Sequence, residues 1–137
     1  MIATTTLTAR TMRPEETLPA SLLDGVTDMI GLSNTDWIWV VEDGGTTVGV
    51  LIAVPCNRIA ILLRLKTSAD APVSSLVVLL RQAFSDMRSR GVTGFITFLS
   101  PEQMNEKRLM RLVKRIGGVI LYHSLFAVGS PLPPEGM

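Results

Sequence analysis

Three runs of β-forming residues separated by two very short connections constrain this chain more than any other feature. Residues 37–41 (WIWVV) and 46–54 (TTVGVLIAV) flank Glu42-Asp43-Gly44-Gly45, and residues 59–66 (IAILLRLK) follow Pro55-Cys56-Asn57-Arg58. Asp-Gly and Gly-Gly supply the positive φ angles of tight hairpin turns, so the first two runs form a hairpin. The second connection is too short for a crossover, which predicts that the third run pairs antiparallel with the second. A meander of three strands is therefore expected in the middle of the chain.

Helical patterns lie on both sides of it. Residues 4–8 have strand-like composition, and Met12-Arg13-Pro14 ends that run before an acidic first turn at Glu15 and Glu16. Leu18, Leu22, Leu23, Val26, Met29 and Ile30 then recur at three- and four-residue spacing, predicting a first helix that stops near Gly31. From 73 to 90 the pattern is again helical, with Leu76, Leu80, Ala83, Phe84 and Met87 on one face and Gly91 as its end. Residues 95–99 read as a short buried strand, parallel to 59–66 because a whole helix separates the two.

Ser100-Pro101-Glu102 opens a last helix to about 116, with Leu109, Leu112, Val113 and Ile116 inward and Gly117-Gly118 as its stop. Residues 119–128 supply a last strand or a bent pair. The expected core joins Leu62, Leu80, Phe84, Ile96 and Leu112 around a central 59–66 strand. The Gly129-Ser130-Pro131-Leu132-Pro133-Pro134 stretch is expected to lie along a surface, since prolines add no ladder hydrogen bonds. This gives one domain over 1–128 and a Pro-rich tail over 129–137, dispensable for folding.

Composition narrows the function classes. Hydrophobic residues make up 47% of the 137 and charged residues 18%, which excludes a disordered chain. The apolar runs fall short of the roughly 20 residues that span a bilayer, and the start MIATTTLTAR has no secretory pattern. A cytoplasmic or virion location is expected, without a membrane. Basic and acidic groups number 13 and 12, and aromatics are 5%, so nucleic acid is an unlikely partner. One Cys and one His give no metal-site spacing. Charge is uneven, with 8 basic and 5 acidic residues after position 68. Lys107, Arg108, Arg111, Lys114 and Arg115 form a basic helix face, which is either solvated or a seat for an anionic partner.

The order strand, helix, three-strand meander, helix, strand, helix, strand resembles the GCN5-related N-acetyltransferase (GNAT) family. The residues that carry the resemblance are the WVVEDGGTTVG hairpin, the 73–90 helix, Asn105 before a helix, and RIGGV after it. It implies an α/β fold: a mixed sheet with an antiparallel meander, a parallel central pair and flanking helices. In that family a Q/R-x-x-G-x-G/A loop at the start of the helix after the meander binds the acetyl-CoA diphosphate through free amides. Here the loop reads Ala69-Asp70-Ala71-Pro72-Val73-Ser74, with Ala69, Pro72 and Ser74 at the three signature positions. Pro72 has no N–H to give, and Asp70 adds negative charge. Asp70-Ala71-Pro72 also reads as a helix cap with a first-turn proline.

Many family members carry a tyrosine four residues before the glycine that ends the last helix, where it protonates the leaving thiolate; here that position is Val113. Tyr122 and His123 lie in the last strand region and read as structural, and Glu42 beside the hairpin turn reads as a solvated edge residue. No catalytic residue is assigned.

Two functions follow. In the first, preferred on the altered loop, the chain is a non-catalytic GNAT-like binding or assembly protein without a cofactor, resembling small GNAT-like proteins of short-tailed phage particles. Its residues 1–10 and 129–137 then contact other protein subunits. In the alternative, an acetyl-CoA-dependent N-acetyltransferase binds its cofactor divergently, through backbone near Leu65 and Thr67, through Val73, Ser74 and Ser75, and through Asn105.

Overall fold

The computed structural model describes residues 6–23, 34–98, 107, 111, 114, 119–122 and 127–132. The strands are β1 (Leu7–Thr11), β2 (Ile38–Asp43), β3 (Thr46–Cys56), β4 (Ile59–Thr67), β5 (Gly94–Phe98), β6 (Val119–Tyr122) and β7 (Ala127–Pro131), and α1 (Ser75–Ser89) links β4 to β5. They form one sheet in the order β1-β2-β3-β4-β5-β7-β6. β1 to β4 are an antiparallel meander, β4 and β5 are parallel, and β7 runs antiparallel to both β5 and β6. The expected mixed sheet, with β4 at its centre, is what the chain forms.

Gly44 and Gly45 make the two-residue turn of the first hairpin with φ of +59° and +91°, a conformation that L side chains rarely adopt. Gly49 is needed for a different reason. It lies in register between Val41 and Thr67. A Cβ there would come 2.7 Å from Val41 Cγ1 and 3.1 Å from Thr67 Cγ2.

Side-chain alternation gives the sheet two apolar faces. On one, Leu7, Trp39, Val41, Leu51, Ala53, Ala60, Leu62 and Phe95 meet Leu79, Leu80, Ala83, Phe84 and Met87 of α1. The Phe84 and Phe95 rings stack with centroids 5.2 Å apart. On the other, Ile38, Val40, Val50 and Ile52 meet Met12, Leu18 and Leu22, with Leu23 and Leu63 packed against them.

Trp39, fully buried, fixes α1 to the sheet. Its indole Nε1 donates to Asp86 Oδ2 at 2.8 Å, and Gln82 Nε2 donates to Asp86 Oδ1 at 2.9 Å. The Arg90 guanidinium lies over the rings of Trp37 and Trp39, 5.0 and 5.2 Å from their centroids, and donates to the Asp36 carbonyl.

Several expectations need correction. β1 spans Leu7–Thr11, with Leu7 buried opposite Asp43, and residues 4 and 5 of the expected strand lie outside the described residues. Leu18 and Leu22 are buried as expected; Leu18 precedes, and Leu22 ends, the 3-10 turn Ala20–Leu22, while residues 24–33, with Val26, Met29 and Ile30, lie outside the described residues. Another 3-10 turn, Thr35–Trp37, capped by the Asn34 side chain, takes Trp37 out of β2. Ile96 faces away from α1: β5 pairs with β4 so that Phe95 lies opposite Ala60 and Ile96 opposite Ile61, and Phe95 takes the core position. Leu112 lies outside the described residues.

The 129–134 stretch does not simply lie on a surface. Gly129, Ser130 and Pro131 belong to β7, an inner strand, and Leu132 is half-buried against the α1-side core with its N–H on the Thr93 carbonyl. Pro131 closes the ladder opposite Gly94, where a missing donor interrupts nothing further. Removing 129–137 would cut this strand, so the expectation that such a truncation leaves the domain folded is withdrawn.

On the face away from α1, Arg10 of β1 donates to both oxygens of Glu16 at 2.7 and 2.9 Å and also to Glu42 of β2. This bond, opposed by burial and helped by the Arg13 amide, holds the Glu16 carboxyl below its ordinary 4.5. A carboxylate depressed in the folded state adds stability that is full above its unfolded value and is lost as pH falls through the folded one. Stability is therefore expected to decline on acidification below about pH 4.5, and Glu16→Gln to flatten that decline at a cost of about 1–2 kcal/mol at neutral pH, read by urea melts across pH. Leu80→Ala is expected to cost about 2–5 kcal/mol in the same melts; a loss under 1 kcal/mol would contradict its place in the core.

Candidate functional site

The site candidate is the place where the two parallel strands part. β4 and β5 are in register from Ile59 opposite Gly94 to Leu62 opposite Thr97, and there the pairing stops. Thr97 Oγ1 donates to the Leu62 carbonyl at 3.3 Å at this point. β4 continues to Thr67, paired with β3 on its other side. Residues 63–67 thus present a strand edge that β5 does not cover.

A β-bulge sits at the parting point. Ile52 pairs with Arg64 and Ala53 with Leu62, so Leu63 has no partner in β3. Bulges re-aim backbone groups and recur next to active sites. Past the bulge, Leu65 pairs with Leu51 and packs toward α1, whereas Arg64 and Lys66 pair with Ile52 and Val50 and project from the opposite face.

The loop from β4 to α1 closes beside this edge. Ser68 donates to the Val48 carbonyl at 2.7 Å, and Ala71 to the Ser68 carbonyl at 3.0 Å. The helix N-cap is Ser74, without a side-chain cap bond, so Asp70 and Pro72 stand before the cap and not within it as expected. The Ser75 amide donates to the Pro72 carbonyl at 3.0 Å. Ala71 and Ser75 have thus committed their amides within the loop, and Pro72 has none. Val73, 88% exposed, and Ser74 keep amides that donate to no backbone carbonyl, beside the orphan amides of Leu76 and Val77 that any helix start leaves.

The expected cofactor-binding residues fall into three groups. Leu65 and Thr67 lie on the stretch of β4 beyond its pairing with β5. Val73 and Ser74 stand at the α1 start, while Ser75 is fully buried and its hydroxyl has no hydrogen-bond partner. Asn105 lies outside the described residues, as do His123 and Val113. Tyr122 ends β6. Glu42 is no solvated bystander, being bound by Arg10. Of the basic face, Lys107, Arg111 and Lys114 are helical and exposed, and Arg108 and Arg115 lie outside the described residues. No group of acidic, His and Cys side chains among the described residues is placed to hold a metal ion.

Two features were missed in the sequence reading. The bulge at Leu63 leaves no local signal. Arg64 does: it is a cation within the apolar run IAILLRLK, and its Nε is buried without a hydrogen-bond partner.

No protein-family model matches the sequence, and no curated protein does. Solved structures do match in shape. A GNAT family acetyltransferase from Elizabethkingia anophelis with acetyl-CoA bound superposes with a TM-score of 0.74 at 10% identity, over 93% of this chain and 99% of that one. The IAA acetyltransferase from Bacillus cereus gives 0.73 at 16% identity, over 92% and 99%. The ribosomal-protein-S18-alanine N-acetyltransferase from Escherichia coli gives 0.71 at 12% identity, over 95% and 96%.

The chain has the GNAT fold.

Within that fold, β4 runs on beyond its pairing with β5, and the loop before α1 keeps few free amides. Pro72→Gly adds one amide to that loop. It is expected to tighten coenzyme A binding about tenfold in calorimetry; unchanged affinity would place the diphosphate elsewhere.

Proposed function

We propose that this chain binds an acyl-coenzyme A by its pantetheine arm along β4 and passes the acyl group to an amine. The parting of β4 and β5 with the bulge at Leu63 carries this reading. The thioester supplies an activated acyl group. The β4 edge supplies donors and acceptors for the amides of the arm. The bulge turns backbone toward the gap, where an amide is suited to polarise a carbonyl. Holding two reactants in one gap replaces a bimolecular encounter, which alone accelerates transfer substantially.

A second reading is favoured by the loop. With Pro72 lacking an N–H and the Ala71 and Ser75 amides already bonded, the chain serves as a non-catalytic binding or assembly subunit, of the kind the resemblance to small phage GNAT-like proteins implies. Its termini then join an interface of at least about 1,000 Å² with other subunits, and an anionic partner suits the basic face at Lys107, Arg111 and Lys114.

Calorimetry with acetyl-coenzyme A and with acetyl-pantetheine, which lacks the diphosphate, separates the two. The first reading expects both to bind, with affinities within about tenfold of one another, because one charge-assisted bond is worth about that factor. Absence of binding by either, together with self-association or a co-purifying subunit in light scattering, would replace it with the second.

A further inference from the structure

β4 carries two cations on the sheet face opposite α1, next to the parting point. Arg64 follows the bulged Leu63 directly, and Lys66 stands two residues on, about 7 Å along the strand on the same face. Their cross-strand neighbours are Ile52 and Val50, both fully buried and apolar. The ion pairs seen among the described residues join Arg10 to Glu16 and Glu42, and neither Arg64 nor Lys66 takes part in one. Arg64 Nε is buried without any hydrogen-bond partner.

A guanidinium N–H withdrawn from water and left unpaired destabilises a fold. Packing does not call for it: a methionine fills similar space without the penalty. A site that accepts such a cost in the free protein is one in which a ligand repays it. The coenzyme diphosphate is not that ligand, because the loop at the start of α1 belongs to the other side of the sheet.

We propose that Arg64, assisted by Lys66, binds the carboxylate of the acceptor, so that the acyl group goes to an amine borne by a small carboxylic acid. This rests on the acyl-transfer reading above. The amine nitrogen forms the new C–N bond as the thioester C–S bond breaks, and the proton lost by the amine ends on the released thiol by way of water. Arg64 takes no part in those bonds. It fixes where the amine stands relative to Leu63, since a guanidinium binds a carboxylate through two parallel N–H donors.

The test uses no coenzyme. Thermal melts are recorded for the wild type, Arg64→Met and Lys66→Gln with the N-acetyl derivatives of glycine, β-alanine and 4-aminobutyrate, each beside its neutral amide at matched ionic strength. At least one acid, and none of the amides, is expected to raise the wild-type midpoint. Arg64→Met is expected to melt higher than wild type without ligand and to bind the active acid at least about tenfold more weakly; Lys66→Gln weakens it less. A lower midpoint for ligand-free Arg64→Met would show that the guanidinium is structural and overturn the proposal. So would equal shifts by acid and amide, or no shift by any acid. Calorimetry of acetyl-pantetheine with Arg64→Met is expected to match wild type, which separates a failure here from a failure of the acyl-transfer reading.

Discussion

The bond from Trp39 to Asp86 determines how the candidate site is assembled. Trp39 belongs to the meander, Asp86 to the last turns of α1, and the indole N–H has no other way to be satisfied once the ring is buried. α1 has 15 residues and behaves as a rod about 22 Å long. Fixing one end against β2 therefore directs the other toward the end of β4, where the loop 68–74 closes. Arg90, stacked over Trp37 and Trp39 and bonded to the Asp36 carbonyl, locks the same end again. A contact at the distal end of the helix thus sets the gap at its start.

That gap exists because two strands of unequal pairing share a helix. β5 keeps register with β4 only through Leu62, and the bulge at Leu63 changes the run of β4 at the same step. The fold supplies a strand edge that β5 does not cover without opening the core, since Leu65 still packs toward α1 and Leu63 toward the other face. What differs from a well-donored anion seat is local. Three features of the loop and the helix start, the bonded Ala71 amide, the missing Pro72 N–H and the bonded Ser75 amide, leave few free donors there.

The meander was legible because its turns are written in residues with a single physical use: Gly44 and Gly45 at positive φ, and alternating β-formers on both sides. The α1 stripe of Leu80, Ala83, Phe84 and Met87 was legible for the same reason, as a period that only a helix satisfies. The register of β5 was not, because Phe95 and Ile96 are both apolar and composition does not say which faces α1. The proline-rich stretch misled for a related reason. Proline excludes a strand interior, but Pro131 occupies a strand end, and Leu132 beyond it supplies the apolar anchor. The bulge at Leu63 depends on how β3 and β4 slide against one another, a long-range fact with no residue of its own. Arg64 was visible in the sequence as a cation among aliphatics, and only its unpaired Nε gave that oddity a meaning.

β7 lies between β5 and β6 although it follows both in the chain. As the polypeptide leaves the ribosome, β5 and β6 therefore emerge before the strand that joins them, each with a bare row of backbone groups. Until β7 inserts, those rows are available to other chains, and the half-made sheet is most exposed to pairing with a neighbour during that interval.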